Sequence, residues 1–245
     1  MSENQDQKDD SGSPVPTDHQ VESDRFYFPR WANYLFPAML LVAIGLLTYV
    51  PLLGTLAISP DTRSIGYEPK QPIPFSHAAH AGKLKMDCRY CHTTVETAAF
   101  AAIPPTQTCL NCHASIKSES PLLEPIRSSF KSGEPVSWIK VHDIPDFVYF
   151  NHSAHINKGV GCESCHGRID QMEEVSQAKS LSMAWCLECH RSPEKQLRPR
   201  DSVTVMGWNA VAATGKLQSQ LGAELAAQYH VQSKHFLTSC STCHR

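Results

Sequence analysis

The hydrophobic pattern of this chain is uneven, with one long apolar run near the N-terminus and only short apolar stretches beyond it. Residues 1–24 are polar and acidic and offer little that a core could bury, so they predict a disordered tail. Residues 31–60 contain no charged side chain. As a helix, residues 37–57 would span about 31 Å, enough for the ~30 Å hydrocarbon core of a bilayer, with a kink at Pro51.

Aromatic and basic residues flank the apolar run, as is typical of a membrane interface. We therefore predict a tail over residues 1–33, a single membrane anchor over 34–57 and an outer domain over 58–245. A cleaved signal peptide is the alternative, with a small-residue cleavage site at residues 55–57. Whether the N-terminal segment is cleaved stays open at this stage.

The outer domain is rich in proline, serine and histidine, and its predicted helices are short. The clearest helix covers residues 215–228, and no series of alternating strands appears. A conventional core is hard to build from this pattern, so another source of apolar mass is expected.

The charge balance and the cysteine content limit the functions that the chain can have. Lys and Arg number 22 against 24 Asp and Glu, and this near-neutral balance argues against nucleic-acid binding. The chain has 10 cysteines, and every one lies in a C-x-x-C-H string. The five strings comprise Cys88, Cys91 and His92; Cys109, Cys112 and His113; Cys162, Cys165 and His166; Cys186, Cys189 and His190; and Cys240, Cys243 and His244.

This string is the attachment pattern of c-type haem. Two thiols three residues apart can add to the two vinyl groups of one porphyrin, and the adjacent histidine then binds the iron as proximal ligand. Zinc is disfavoured because five cysteine pairs do not group in fours and the invariable histidine stays unexplained. We predict five c-type haems and a mostly irregular, small-α multihaem cytochrome c domain wrapped round them, plus one N-terminal transmembrane helix.

A duplicated pattern supplies candidates for the distal iron ligands. An F-x-H-x-x-H string precedes the first and third attachment motifs, with the two copies offset by 75 residues. It predicts two-haem repeats near residues 71–135 and 140–200 and a terminal haem over 201–245. The distal candidates in the repeats are His77, His80, His152 and His155. For a fifth distal ligand, His142, Met183 and Met206 all remain open, and a methionine would raise the potential of its haem.

These strings resemble class III multihaem cytochromes c, and their combination resembles the pentahaem cytochrome subunits of bacterial alternative complex III. The resemblance covers most of residues 30–245 and includes the anchor. It implies a respiratory electron-transfer subunit without a catalytic site of its own. The implied partners are an iron–sulfur/molybdopterin-like periplasmic subunit and quinol-binding integral membrane subunits. The implied acceptor is a periplasmic cytochrome c, a high-potential iron–sulfur protein or a terminal oxidase.

Covalent haem attachment takes place outside the bacterial cytoplasmic membrane, which predicts a single-pass protein with a cytoplasmic N-terminus and a periplasmic haem domain. Two other functions stay open. One is an anchored quinol dehydrogenase that oxidises quinol itself at a five-coordinate haem. The other is a subunit of a quinone-reductase complex, in which electrons run the opposite way. The sequence fixes neither the direction of flow nor the order of the haems.

Overall fold

The computed structural model describes residues 28–57, 59 and 64–244 and divides the chain into two units, Met1–Ala57 and Ile58–Arg245. The predicted acidic tail lies outside the described residues. In the first unit a 3-10 turn, Arg30–Tyr34, leads into helix α1, Leu35–Ala57, which continues through Pro51. Its side chains are exposed along its length. Its length and composition make it a candidate membrane span, and a signal sequence near the N-terminus meets the same two criteria.

The second unit is built from short helices joined by irregular segments. They are α2 (Cys88–Cys91), α3 (Thr106–His113), α4 (Glu124–Ser132), α5 (His152–Ile156), α6 (Cys162–His166), α7 (Met183–Arg191), α8 (Ala210–Thr214), α9 (Gln218–Gln228), α10 (Lys234–Leu237) and α11 (Cys240–Cys243). One π-helical turn, Ala78–Lys83, and several 3-10 turns complete the secondary structure. Within the described ranges the only β pairing is an isolated bridge between Val160 and Leu197. The expected mostly helical and irregular architecture is confirmed.

The helix predicted over residues 215–228 begins three positions late. Gly215 instead adopts a left-handed conformation, φ 71°, and caps the preceding helix α8. A glycine pays no Cβ penalty there, so it ends one helix before α9 starts at Gln218.

Polar caps define where several of the short helices begin. The Asp87 carboxylate accepts a hydrogen bond from the Arg89 backbone N–H at the start of α2. Asn151 caps α5 and Ser182 caps α7 in the same manner. Because such caps satisfy N–H groups that lack an intrahelical partner, they position the turns that carry the functional side chains.

The core made by protein side chains alone is small. One cluster contains Leu197, Ala210, Leu221, Leu225 and Tyr229, and a second contains Val95, Ile156 and Val203. Of the described large side chains only Leu197 and Val203 are almost fully buried, at 1% exposure each. This agrees with the expectation that the domain needs another apolar component.

Candidate functional site

Each attachment cysteine pair lies on a single helical turn. The pairs fall on α2, α3, α6, α7 and α11, and positions i and i+3 of a helix share one face. No disulfide joins any of the ten cysteines. Two thiols on one face, without a disulfide, suit addition to one porphyrin edge.

The histidine that follows each pair is held by its Nδ1 atom. In four motifs a backbone carbonyl lies at hydrogen-bond distance from Nδ1. These contacts are His92 to Ala102 (2.8 Å), His113 to Ile116 (2.9 Å), His190 to Leu237 (2.9 Å) and His244 to Phe147 (3.1 Å). A carbonyl only accepts, so Nδ1 carries the proton and the Nε2 lone pair is left for a metal.

Three of the five motif histidines face a second histidine ring. The ring centroids lie 6.1 Å apart for His80 and His113, 6.4 Å for His152 and His166, and 6.2 Å for His155 and His190. Two metal–imidazole bonds of about 2 Å each, plus the ring radii, separate two centroids by about 6 Å. The donor set therefore fits one iron between each pair.

The two F-x-H-x-x-H strings fold almost alike. Phe75 stacks on His80 at 4.4 Å and 23°, and Phe150 stacks on His155 at 4.7 Å and 26°. Each phenylalanine also meets the first histidine edge-on, at 4.9 Å in one copy and 4.8 Å in the other, both at 86°. The sequence repeat is thus also a repeat in three dimensions.

The second histidine of each string is tied to its own turn. The Nδ1 atoms of His80 and His155 contact the carbonyls of Ser76 and Asn151, both at 2.8 Å. The first histidines differ, because Nδ1 of His152 contacts the Ala99 carbonyl at 2.8 Å whereas the buried Nδ1 of His77 has no partner. The two copies therefore differ in the hydrogen bonding of Nδ1 of the first histidine.

Burial keeps several of these rings neutral. It lowers the pKa of His77 to about 4, helped by repulsion from His92, and lowers the pKa of His166 to about 3, helped by His142. Burial likewise lowers the pKa of His155. A neutral imidazole is the form that binds metal, so the electrostatics favour ligation.

The three candidates for a fifth distal ligand lie in different surroundings. His142 contacts His166, with its Nε2 atom 3.3 Å from Nδ1. Met183 opens α7 and is 62% exposed, while Met206 is half-buried. The ring of His244 lies beside that of Phe147, with the two centroids 5.7 Å apart.

Sequence reasoning missed Arg198, a nearly buried residue beside the third motif. Its Nη2 atom donates to Glu163 at 2.8 Å, its Nη1 donates to the Val205 carbonyl at 2.9 Å, and its guanidinium lies 5.1 Å from the Trp208 ring centroid. A side chain on Gly161 would overlap the guanidinium, which explains the glycine before Cys162. No local spacing links Arg198 to the motif, so only the fold reveals it.

The attachment helices follow one another in space in an order different from the sequence. The first and second motifs touch through Asn111 Nδ2, which donates to Tyr90 Oη at 3.3 Å. The thiols of Cys88 and Cys162 lie close enough to perturb each other's pKa, which joins the first motif to the third.

Two further contacts extend the series. His152 and His155, from one helical turn, face the histidines of the third and fourth motifs. His190 of the fourth motif contacts the Leu237 carbonyl, three residues before Cys240 of the fifth. The order of the motifs in space is second, first, third, fourth, fifth.

Comparison with known proteins agrees with this site. The model of the class III cytochrome C family matches residues 56–126, which hold the first histidine turn and the first two motifs. The chain is also 37% identical over 98 residues to the multihaem cytochrome c subunit of menaquinone reductase from Nitratidesulfovibrio vulgaris strain Hildenborough. That match covers 40% of this chain and 46% of the relative, so the chain spans just under half of the relative's length.

Over part of its length the chain is thus similar to multihaem c-type cytochromes, a class of electron-transport proteins. The particular similarity is to class III cytochromes and to a quinone-linked relative, and it implies c-type haem as the cofactor.

Proposed function

We propose that this protein is a membrane-anchored pentahaem c-type cytochrome that relays electrons within a quinone-linked respiratory complex. The observation that supports it best is the continuous series of attachment helices, three of which present their histidine to a second histidine ring at 6.1–6.4 Å.

The contacts support a set of proposed ligand assignments. Thioether links would form at the five cysteine pairs, with His92, His113, His166, His190 and His244 as proximal ligands. On the distal side His80 would serve the second haem, His152 the third and His155 the fourth. His77 would serve the first haem, because His152, its counterpart in the second F-x-H-x-x-H string, faces the first motif of its own repeat. His142, Met183 and Met206 stay as candidates for the fifth.

Paired histidines suit a relay rather than a catalyst. Bound haem supplies a one-electron Fe(III)/Fe(II) couple, and two axial histidines leave no open position for substrate. The chain's own residues hold neighbouring groups close together, since one helical turn carries the distal histidines of two sites. Our proposal therefore includes no catalytic site in this subunit.

The complex we propose resembles alternative complex III. Electrons would pass from quinol-binding integral membrane subunits, through an iron–sulfur/molybdopterin-like periplasmic subunit, to this cytochrome. It would pass them to a periplasmic cytochrome c, a high-potential iron–sulfur protein or a terminal oxidase. Helix α1 would anchor the chain in the bacterial cytoplasmic membrane, with the N-terminus cytoplasmic and the haem domain periplasmic.

The name of the relative favours a second candidate, a subunit of a quinone-reductase complex in which electrons enter from the periplasm. An anchored dehydrogenase that oxidises quinol at a five-coordinate haem would differ from both. The three functions predict different electron donors and acceptors for the haems of the purified protein.

Intact mass and a pyridine haemochrome spectrum test the cofactor: five covalently attached haems are expected, and a smaller number would contradict the proposal. Gentle purification from membranes followed by mass spectrometry tests the complex, which should co-elute with integral membrane and iron–sulfur subunits. In that complex, quinol should reduce the haems and a periplasmic carrier should reoxidise them. Reduction by a periplasmic donor followed by quinone reduction would instead support the second candidate.

The isolated subunit distinguishes the dehydrogenase. We expect no reduction by quinol without the membrane subunits and no high-spin haem that responds to quinol. Direct quinol oxidation by the lone subunit would overturn the relay proposal.

A further inference from the structure

The histidine of the third attachment motif has a different hydrogen-bond partner from the other four. Nδ1 of His92, His113, His190 and His244 contacts a backbone carbonyl in each case. Nδ1 of His166 instead contacts Nε2 of His142 at 3.3 Å, with the two rings at 75° and their centroids 4.5 Å apart.

The roles of the two nitrogens follow from the proposed ligation. If His166 binds iron through Nε2, its Nδ1 must carry the proton and donate it. Nε2 of His142 is then the acceptor and its lone pair is engaged. An imidazole nitrogen is a stronger base than an amide carbonyl, so it increases the basicity of His166 more than a carbonyl would.

His142 is held in this position by its own chain segment. The side-chain amide of Gln71 brackets Ile139, donating to its carbonyl and accepting from its N–H, both at 2.9 Å. Lys140 and Asp143 form an ion pair across the same turn. A doubly hydrogen-bonded anchor three residues away restricts where the His142 ring can lie.

We propose that His142 is a positioning residue for the third haem site: it accepts a hydrogen bond from His166 Nδ1, orients that ring and lowers the reduction potential of this haem alone. This inference rests on the proposed haem ligation by His166. It removes His142 from the candidates for the fifth distal ligand.

The test replaces His142 in the membrane-purified protein with leucine and with glutamine. His142→Leu removes the acceptor, so one haem should shift to a higher potential and show altered low-spin g-values, while the other four stay unchanged. Gln Oε1 can replace Nε2 as acceptor, so His142→Gln should restore much of the potential. His230→Asn, which removes an exposed histidine where asparagine tolerates the left-handed backbone, is the control and should change neither.

Gln71→Ala offers a milder variant that loosens the segment without touching either histidine. It should shift the same haem in the same direction by a smaller amount. A new high-spin haem in His142→Leu would identify His142 as an iron ligand and overturn the inference. Unchanged potentials in His142→Leu, or equal shifts of all five haems, would also overturn it.

The haem count separates this inference from the function on which it rests. Five haems in the wild-type protein with no potential change in His142→Leu would reject only the role of His142. Fewer than five haems in the wild-type protein would reject the proposed function itself.

Discussion

The rings of His155 and His190 lie 6.2 Å apart, centroid to centroid, and 23° from parallel. His155 is held through Nδ1 by the Asn151 carbonyl and His190 by the Leu237 carbonyl. Both Nε2 atoms are thus left for a metal, and both rings are fixed by backbone. Replacing either histidine should therefore change the reduction potential of the haem that we propose between them.

His155→Met should raise the potential of one haem, because a thioether sulfur stabilises Fe(II) better than a second imidazole does. Five haems should remain attached, since the thioether links do not involve His155. A spectroelectrochemical titration of the purified protein measures the shift. His235→Met, at an exposed position of α10, is the control, and an equal shift in both variants would contradict the assignment.

Arg198→Met should destabilise the protein by about 3 kcal/mol, because it leaves the Glu163 carboxylate without its buried partner. The side chains are only 7% and 16% exposed in this ion pair. Urea unfolding followed by circular dichroism measures the loss. Lys140→Met breaks a pair whose side chains are 69% and 74% exposed, and it should cost less than about 1 kcal/mol. Similar losses in the two variants would show that burial of the Arg198 pair contributes nothing.

Gly222→Ala should destabilise the domain by about 1–3 kcal/mol, since a Cβ there would overlap the Glu194 carbonyl where α9 packs on the turn Pro193–Lys195. Alanine normally favours a helix over glycine, so a loss of stability would isolate the packing clash. Ser219→Ala, on the exposed side of α9, should change stability by less than about 0.5 kcal/mol. A gain in thermal midpoint for Gly222→Ala would show that the two segments separate easily.

Asp87 should stabilise the protein at neutral pH, and this contribution should disappear in acid. Hydrogen bonds from Arg89 are the main reason that the pKa of Asp87 falls from 3.8 to about 2. A lowered folded-state pKa stabilises the protein above the unfolded value, and that contribution is lost as the pH falls from about 4 towards 2.

Asp87→Asn should therefore lower the thermal midpoint at pH 7, and the gap to wild type should close near pH 2. Thermal melts across this range measure the gap. Glu119→Gln, an exposed carboxylate on a loop, is the control. A gap that stays constant from pH 7 to pH 2 would show that the charge of Asp87 is not the cause.

Local sequence determined the geometry of the five C-x-x-C-H turns. The two cysteines and the histidine of each motif act within one helical turn, so their spacing alone predicts which atoms share a face. The F-x-H-x-x-H repeat is local as well, and its two copies place Phe75 and Phe150 in the same stacked position on the second histidine.

Only the tertiary structure decided what lies beside each motif. The pairing of His80 with His113, the placement of His142 against His166 and the buried ion pair of Arg198 with Glu163 all join distant segments. The spatial order of the motifs has the same origin, because it depends on how irregular segments pack together. Residue spacing determines which atoms lie on one turn, but contacts between turns depend on the path of the whole chain, which no short motif encodes.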